Sequence, residues 1–280
     1  DKGIKSAKFK CAFMLEKGIG TEKNDEKAFA YYKMSADEGN ELAMFKCAVM
    51  LESGTGVKKD LRRAYRYYQF AAEKGHLDAM FKYGEMLENG IGVVKNQKEA
   101  YKYYQMAAEK GHVEAMNNYG NMLFNGIGVI ANKKVASRYY KMAADHGHID
   151  AMNNYGNMLF NGTGVEKNEK EACRYYKMAA EKGHIDAMNH YGNKLFNGTG
   201  VEKNEKEACR YFKMAADKGD PYAINNYGVM LKNGIGVEMN IKEAIRYYKM
   251  AIDKDNEVAM YNYGLMLQNG IGIEKNQEEA

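Results

Sequence analysis

The seventeen residues LFNGTGVEKNEKEACRY occupy positions 159–175, and the same seventeen residues return at positions 195–211. This stretch places a Gly-x-Gly motif ahead of a segment whose composition is typical of a helix. Such a motif can cradle a phosphate group, or it can end one helix and lead into the next. The rest of the chain decides between these two interpretations.

The Gly-x-Gly motif occurs in register throughout the chain, always at an interval of 36 residues. Its first glycines are Gly18, Gly54, Gly90, Gly126, Gly162, Gly198, Gly234 and Gly270. A fixed period of this length is typical of repeat proteins, in which each unit buries its apolar face by stacking on its neighbours. We therefore expect an all-α array of 36-residue helix-loop-helix repeats.

The repeats are expected to form a single array over residues 1–280 that is part of a longer protein. When each copy is started at its leading alanine, seven complete copies result: 7–42, 43–78, 79–114, 115–150, 151–186, 187–222 and 223–258. Residues 1–6 and 259–280 are interpreted as partial copies. Positions within a copy are counted below from this alanine.

Copy three shows how one unit is expected to fold. Ala79, Tyr83 and Leu87 are four residues apart and share one face of a first helix. Gly90 is suited to a left-handed cap at the end of that helix. Asn96 and the glutamate three residues later form a capping pattern that starts a second helix. A dinucleotide or P-loop motif requires further glycines or a Gly-Lys-Ser/Thr sequence, which the chain lacks, so the Gly-x-Gly is interpreted as a helix end.

Composition and charge exclude several classes of function. No apolar run approaches the roughly 18 residues that a membrane-spanning helix needs, so we expect no membrane insertion. The net charge of +4 arises from 41 basic and 37 acidic residues. These charges are intermixed along the chain and form no basic stripe, so we expect no nucleic-acid partner.

Chemistry-bearing residues recur as rows, with one member per copy. His76, His112, His148 and His184 hold one position, and a row spaced by a whole repeat cannot converge on a zinc ion. The tyrosine pairs and the methionines of both helices are interpreted as packing residues for the same reason. Because no catalytic cluster is indicated, we expect no enzyme activity, no metal site and no cofactor.

The repeated pattern A-x-x-x-Y-G-x-x-L, then N-G-x-G-V, then N-x-x-x-A-x-x-Y-Y-x-x-A-A-x-x-G, resembles the Sel1-like repeat family, relatives of the tetratricopeptide repeats. The resemblance covers nearly the whole chain. It implies a right-handed α/α superhelical solenoid that scaffolds protein complexes and is not an enzyme. The chain departs from the pattern at Cys11 and Cys47, which replace the first-helix tyrosine.

The four cysteines form two pairs that are separated by one full repeat, Cys11 with Cys47 and Cys173 with Cys209. Packed helices lie roughly 8–10 Å apart, whereas a disulfide needs Cα atoms within about 7 Å. We therefore expect free thiols and a reducing, cytoplasmic location. The alternative is the endoplasmic reticulum lumen or secretion, if the glycosylation sequons at Asn161 and Asn197 are used.

In the related tetratricopeptide solenoids the first helices line a concave groove, which implies that the third, seventh, tenth and eleventh positions of each copy face a partner. In copies two and three the candidate residues at these positions are Phe45, Glu52, Phe81, Glu85 and Glu88. In copies four to six they are Asn117, Asn121, Phe124, Asn125, Asn153, Asn157, Phe160, Asn161, Asn189, Asn193, Phe196 and Asn197.

The asparagines suggest a hypothesis for copies four to six. Each amide can donate to a peptide carbonyl and accept from a peptide N–H, while the phenylalanines anchor side chains. The groove is then expected to bind a peptide or helix of a partner protein. Two alternatives stay open. In the first, the copies inherited one surface by duplication. In the second, the chain is a structural spacer or a self-assembling arm that associates end to end.

Overall fold

The computed structural model describes residues 2–275, with side chains from residue 7 onward, and over this range the chain forms helices and no strand. The helices are α1 (Lys2–Lys17), α2 (Asp25–Asp37), α3 (Glu41–Ser53), α4 (Leu61–Glu73), α5 (Leu77–Asn89), α6 (Gln97–Glu109), α7 (Val113–Asn125), α8 (Lys133–Asp145), α9 (Ile149–Asn161), α10 (Glu169–Glu181), α11 (Ile185–Asn197), α12 (Glu205–Asp217), α13 (Pro221–Asn233), α14 (Ile241–Ile252) and α15 (Glu257–Asn269). Odd numbers are first helices and even numbers are second helices. The all-α class and the repeated helix pairs are confirmed.

The contacts divide the chain into two compact units, Asp1–Ala143 and Ala144–Ala280. In the first unit, consecutive helices from α1 to α7 pack against one another. In the second unit, consecutive helices from α9 to α15 do the same. The prediction of one array over residues 1–280 stays a prediction, and the last five residues of the partial copy 259–280 lie outside the described residues.

The second helices begin where the capping pattern predicts. The Asn96 side-chain oxygen accepts a hydrogen bond from the Glu99 backbone N–H at 3.1 Å, and Asn168 caps α10 through Glu171 at 2.9 Å. These bonds pair backbone donors that a helix N-terminus leaves unsatisfied. Each second helix is therefore started by the side chain that precedes it.

The first helices begin at a residue whose role the sequence pattern did not reveal. The ring nitrogen Nδ1 of His76 accepts from the backbone N–H of Ala79 at 3.3 Å, so His76 is the N-cap of α5. His112, His148 and His184 cap the next first helices in the same way, and Asp220 caps α13. The histidines are therefore helix caps, and this role requires a neutral imidazole because the accepting nitrogen must carry no proton.

The two positions of each Gly-x-Gly motif require glycine for different structural reasons. Gly90 adopts the left-handed conformation at φ +73° and ends α5. Gly92 lies against the start of α4 in the preceding copy, where a Cβ atom would overlap the carbonyl oxygen of Leu61. The motif thus ends one helix and then brings the loop into direct contact with the copy before it, which agrees with its interpretation as a helix end.

The core of each copy is built from small residues facing aromatic rings. Tyr104 is fully buried, and a Cβ atom added to Gly84 would lie only 2.8 Å from its ring. The neighbouring Tyr103 packs edge-on to the ring of Tyr83, with the ring centroids 4.5 Å apart. These contacts confirm that the tyrosine pairs pack between helices.

The methionines differ in burial. The first-helix residues Met80, Met116, Met152 and Met188 are buried, as their repetition predicts, whereas Met260 of α15 is exposed and the packing interpretation is wrong for it. The second-helix residues Met106, Met142 and Met250 are exposed, so the packing interpretation is wrong for them. Met106 directly precedes the buried pair Ala107 and Ala108, and one residue turns the helix by about 100°, which directs its side chain away from the core.

Candidate partner-binding surface

The predicted partner-binding residues lie at the third, seventh, tenth and eleventh positions of the first helices, and together we call them the first-helix surface. The structure gives these four positions different environments. Some side chains are used entirely inside the fold, whereas others are open to solvent. Each position is therefore described separately, and each compact unit by itself.

At the tenth position, two predicted glutamates hold buried tyrosines. The Tyr68 hydroxyl donates to Glu52 at 2.6 Å, and the Tyr104 hydroxyl donates to Glu88 at 2.8 Å. Burial, together with the adjacent carboxylate, raises the pKa of both tyrosines well above its usual value. Glu52 and Glu88 therefore satisfy hydroxyl groups that would otherwise be buried without an acceptor.

In copies four and five the same acceptor function belongs to the seventh position. Tyr140 donates to the Asn121 side-chain oxygen at 2.7 Å, and Tyr176 donates to Asn157 at 2.8 Å. The tenth position of these copies is phenylalanine, which cannot accept a hydrogen bond. An asparagine one helical turn earlier has therefore replaced the glutamate as the partner of the tyrosine.

Copy six breaks this relationship. Its second helix carries Phe212 where the other copies carry the buried tyrosine, so no hydroxyl faces Asn193. The Asn193 side chain is half-buried and has no hydrogen-bond partner among the described residues. Of the three seventh-position asparagines, Asn193 is the one whose side chain makes no hydrogen bond among the described residues.

The third-position asparagines are not open to a ligand. Asn117, Asn153 and Asn189 have relative exposures of only 5%, 5% and 9%. Asn226 of the following copy donates to Asn189 at 3.0 Å, and His190 hydrogen-bonds to Asn153 at 3.2 Å. The expectation that these amides hold a peptide backbone is corrected by their burial, and within the second unit the next first helix covers Asn153 and Asn189.

The predicted phenylalanines are half-buried. In copies two and three, Phe45 stacks on the ring of His76 and Phe81 stacks on His112, with centroid distances of 4.4 and 4.6 Å. In copies four to six, Phe124, Phe160 and Phe196 each lie beneath a lysine ammonium group. All five rings keep part of their surface open to solvent.

The remaining predicted residues lie at the surface. The Glu85 carboxylate forms an ion pair with Lys82 at 2.8 Å. Asn125, Asn161 and Asn197 are exposed at the ends of their first helices, and Asn125 donates to the Asn121 backbone carbonyl at 3.0 Å. The surface available to a partner in the second unit therefore comprises mainly the tenth- and eleventh-position side chains, together with Asn193.

Sequence reasoning missed Lys194. It stands at the eighth position, where the other copies carry Met14, Met50, Met86, Met122, Met158, Met230 and Met266. Its ammonium nitrogen lies 3.2 Å from the ring centroid of Phe160, and burial lowers its pKa. It forms no ion pair among the described residues. A single basic residue in a row of methionines is the signal that could have revealed it.

Within residues 7–275 no group of three or more His, Cys, Asp or Glu side chains is arranged to hold a metal ion. The four cysteines are free, and three of them are buried. None of the described helices is both long and apolar enough to cross a bilayer.

Comparison with known proteins shows which repeat family the chain resembles. A family model described as Sel1 repeat matches eight segments, 5–40, 42–76, 77–112, 113–148, 149–184, 185–220, 221–256 and 258–280. A search of curated proteins returns no match.

Two solved structures are similar over most of the chain. One is c5321, a protective antigen of uropathogenic Escherichia coli with an SLR fold, at 26% identity and a TM-score of 0.89 over 99% of this chain. The chain spans 59% of the length of that protein. The other is a Sel1 repeat protein from Oxalobacter formigenes, at 30% identity and a TM-score of 0.74, covering 87% of this chain and 96% of that one.

Proposed function

The chain belongs to the Sel1 repeat family, and from this premise we propose that it is a scaffold whose first-helix surface binds a peptide segment of a partner protein. Proteins of this family are generally protein-interaction scaffolds and are generally not catalytic. The proposal places the main contacts in copies five and six, within the second compact unit.

The observation that carries this proposal is that the side-chain amide of Asn193 makes no hydrogen bond among the described residues. Asn157, at the same position one copy earlier, is committed to the Tyr176 hydroxyl, whereas Phe212 leaves Asn193 without a donor. A half-buried amide with no internal partner can donate to one peptide carbonyl and accept from one peptide N–H.

The neighbouring side chains suggest what such a peptide carries. Phe160 and Phe196 offer partly open rings for an apolar side chain. Lys194 is positively charged and lies against Phe160 without a carboxylate partner, so an acidic side chain of the peptide would gain an ion pair there. We therefore propose a peptide with an apolar anchor next to an acidic residue, with Asn161 and Asn197 at the rim.

The first compact unit offers a related surface. Asn121, Phe124 and Asn125 of copy four, together with Phe45, Phe81 and Glu85, are proposed to contact a partner there. Glu52 and Glu88 contribute only indirectly, since their carboxylates hold tyrosine hydroxyls.

The test is a peptide selected from a random displayed library on the wild-type chain, followed by calorimetric titration of variants. Asn193→Ala is expected to weaken binding about fivefold, since one hydrogen bond contributes about 1 kcal/mol. Phe196→Ala is expected to weaken it about tenfold or more, through lost apolar contact. Asn233→Ala, an exposed eleventh-position change in copy seven, is the matched control. Unchanged affinity in both test variants, with helicity intact, rejects this surface.

The alternative function is a structural arm without a groove ligand. Such an arm is proposed to associate end to end, which light scattering of the chain would detect as concentration-dependent growth in mass. The free cysteines favour a reducing, cytoplasmic location; glycan occupancy at the exposed Asn161 or Asn197 would favour the secretory alternative.

A further inference from the structure

Two grooves lie at equivalent places in the second compact unit, away from the first-helix surface. The Cys173 groove runs between α10 and the loop of the next copy at Gly200, and it has a volume of about 760 Å³. The Cys209 groove has the same position one copy later, beside Gly236, with a volume of about 520 Å³. Each is named for the cysteine in its wall, and the two cysteines are only 3% and 5% exposed.

In copies two and three, which lie in the first compact unit, the same position holds tyrosine. Tyr65 of copy two lies against Tyr83 of copy three, with ring centroids 5.0 Å apart and hydroxyl oxygens 3.0 Å apart. Tyr101 lies against Tyr119 in the same way, at 5.1 and 3.1 Å. The space next to the first-helix tyrosine of the following copy therefore accommodates a tyrosine side chain. Tyr65 and Tyr101 occupy this space in copies two and three.

Copies five and six keep one half of this pair and lose the other. Cys173 and Cys209 replace the incoming tyrosine, while Tyr191 and Tyr227 remain as the opposite wall. Tyr211 packs edge-on to Tyr191 at a centroid distance of 5.0 Å and fixes its ring. The Tyr191 and Tyr227 hydroxyls make no hydrogen bond among the described residues. Tyr191 and Tyr227 are only 4% and 8% exposed, so each groove presents mainly the free hydroxyl of its tyrosine.

The cysteines keep the grooves open without reacting. The Cys173 thiol donates to the Thr199 carbonyl at 3.1 Å, which ties it to the loop of the next copy. Burial raises the pKa of both Cys173 and Cys209, so the thiols are protonated at neutral pH and are poor nucleophiles. The chemistry of the grooves is therefore binding by shape and hydrogen bonding.

The rims of the grooves carry more basic than acidic side chains. Lys170, Arg174 and Lys177 border the Cys173 groove with Glu171 and Glu202. Lys206, Arg210 and Lys213 border the Cys209 groove with one glutamate, Glu207. Lys170 and Lys206 have no carboxylate within ion-pair distance among the described residues. An acidic sequence around an incoming aromatic residue would therefore be attracted to these rims.

We propose that the Cys173 and Cys209 grooves each bind a tyrosine side chain from an acidic peptide segment of a partner protein, with its hydroxyl bonded to that of Tyr191 or Tyr227. Tyrosine is favoured over phenylalanine because the hydroxyl pairs of Tyr65 with Tyr83 and of Tyr101 with Tyr119 are reproduced. The residues changed in its test do not belong to the first-helix surface, so either proposal can be refuted without refuting the other.

The test follows the peptide Gly-Glu-Glu-Tyr-Glu-Gly by NMR titration of the full chain, with the phenylalanine and leucine versions of the peptide in parallel. The tyrosine peptide is expected to bind most tightly. The double variant Cys173→Tyr/Cys209→Tyr fills both grooves with the tyrosine that copies two and three carry at this position. It is expected to weaken binding about tenfold or more. The matched variant Cys173→Ala/Cys209→Ala leaves the grooves open and is expected to keep the preference for the tyrosine peptide over its phenylalanine version.

A second variant guards against misfolding of the filled double variant. Tyr191→Phe/Tyr227→Phe removes only two oxygen atoms, and it is expected to abolish the preference for the tyrosine peptide over its phenylalanine version. Equal binding of the leucine peptide, or unchanged binding to a folded Cys173→Tyr/Cys209→Tyr variant, overturns the proposal. If filling the grooves instead dissociates an oligomer of the chain, the occupant is a second copy and the partner-peptide proposal is wrong.

Discussion

The Tyr140 hydroxyl donates a hydrogen bond to the side-chain oxygen of Asn121 at 2.7 Å. One copy earlier, the equivalent Tyr104 donates to Glu88, three positions further along its first helix. The acceptor has moved by one helical turn while the buried tyrosine has stayed in place. This exchange removes a carboxylate from the tenth position and allows a phenylalanine to stand there.

The first prediction concerns this acceptor. Asn157→Ala leaves the Tyr176 hydroxyl buried without a partner and is expected to lower the free energy of unfolding by about 1–3 kcal/mol. Adding Tyr176→Phe is expected to recover most of the loss, because it removes the unsatisfied group. Chemical denaturation measures both. Asn193→Ala, which faces Phe212, is the control and is expected to have little effect; equal losses in the two single variants would contradict the assignment.

The second prediction concerns Tyr248, whose buried hydroxyl has no partner among the described residues. Copy seven carries Val229 and Lys232 at the two positions that supply an acceptor elsewhere. Tyr248→Phe is therefore expected to leave the melting temperature unchanged or to raise it. Tyr176→Phe in otherwise wild-type protein, where a hydrogen bond is lost, is expected to lower it. A clear loss in Tyr248→Phe would show that this hydroxyl is paired.

The third prediction is a pH dependence at His76. Burial lowers the pKa of His76, although the carboxylates of Asp78 and Glu41 oppose the shift. The folded state therefore binds a proton less readily than the unfolded state does. The stabilisation by this cap is complete above the unfolded value of about 6.5 and is lost as the pH falls from there through the lower pKa of the folded state.

This dependence is isolated by replacing the cap. His76→Asp keeps a side-chain acceptor, as Asp220 does in α13, and is expected to lose stability less steeply than the wild type between pH 7.5 and 5.5. His76→Ala removes the cap and is expected to lower stability by about 1 kcal/mol at neutral pH. Identical pH profiles of melting temperature for wild type and His76→Asp would refute the role of the ring nitrogen.

The fourth prediction compares two glycines. Gly92→Ala introduces a Cβ atom against the Leu61 carbonyl and is expected to reduce stability by more than about 2 kcal/mol, from overlap added to left-handed strain. Gly111 is also left-handed, at φ +96°, but nothing lies within 4 Å of an added Cβ atom. Gly111→Ala is expected to show only the backbone strain of about 1–2 kcal/mol. Similar melting temperatures for the two variants would argue against the close contact.

The sequence predicted the features that local chemistry determines. The capping pair of Asn96 and Glu99, the helix end at Gly90 and the packing of the tyrosine pairs all follow from spacing within one copy. The role of His76 as a cap was missed because histidine is not among the common capping residues. Asp220 at the same position of copy seven was the available signal.

Contacts between copies were harder to predict. A helical pattern places Asn153 and Asn157 on one face, but it does not show that the next first helix covers Asn153 and leaves Asn157 beside a tyrosine. The Cys173 groove was missed for a related reason. The loss of a large side chain is visible only when Cys173 is compared with Tyr101, and its effect depends on Tyr191 in the next copy.

Phe212 has a consequence for how duplicated copies diverge. While a tyrosine stands at this place, loss of its acceptor leaves a buried hydroxyl without a partner, as Tyr248 shows in copy seven, and is expected to reduce stability. Phe212 lacks that oxygen atom, so residue 193 can mutate without this loss. Copy six can therefore acquire a new side chain at residue 193 in a single step.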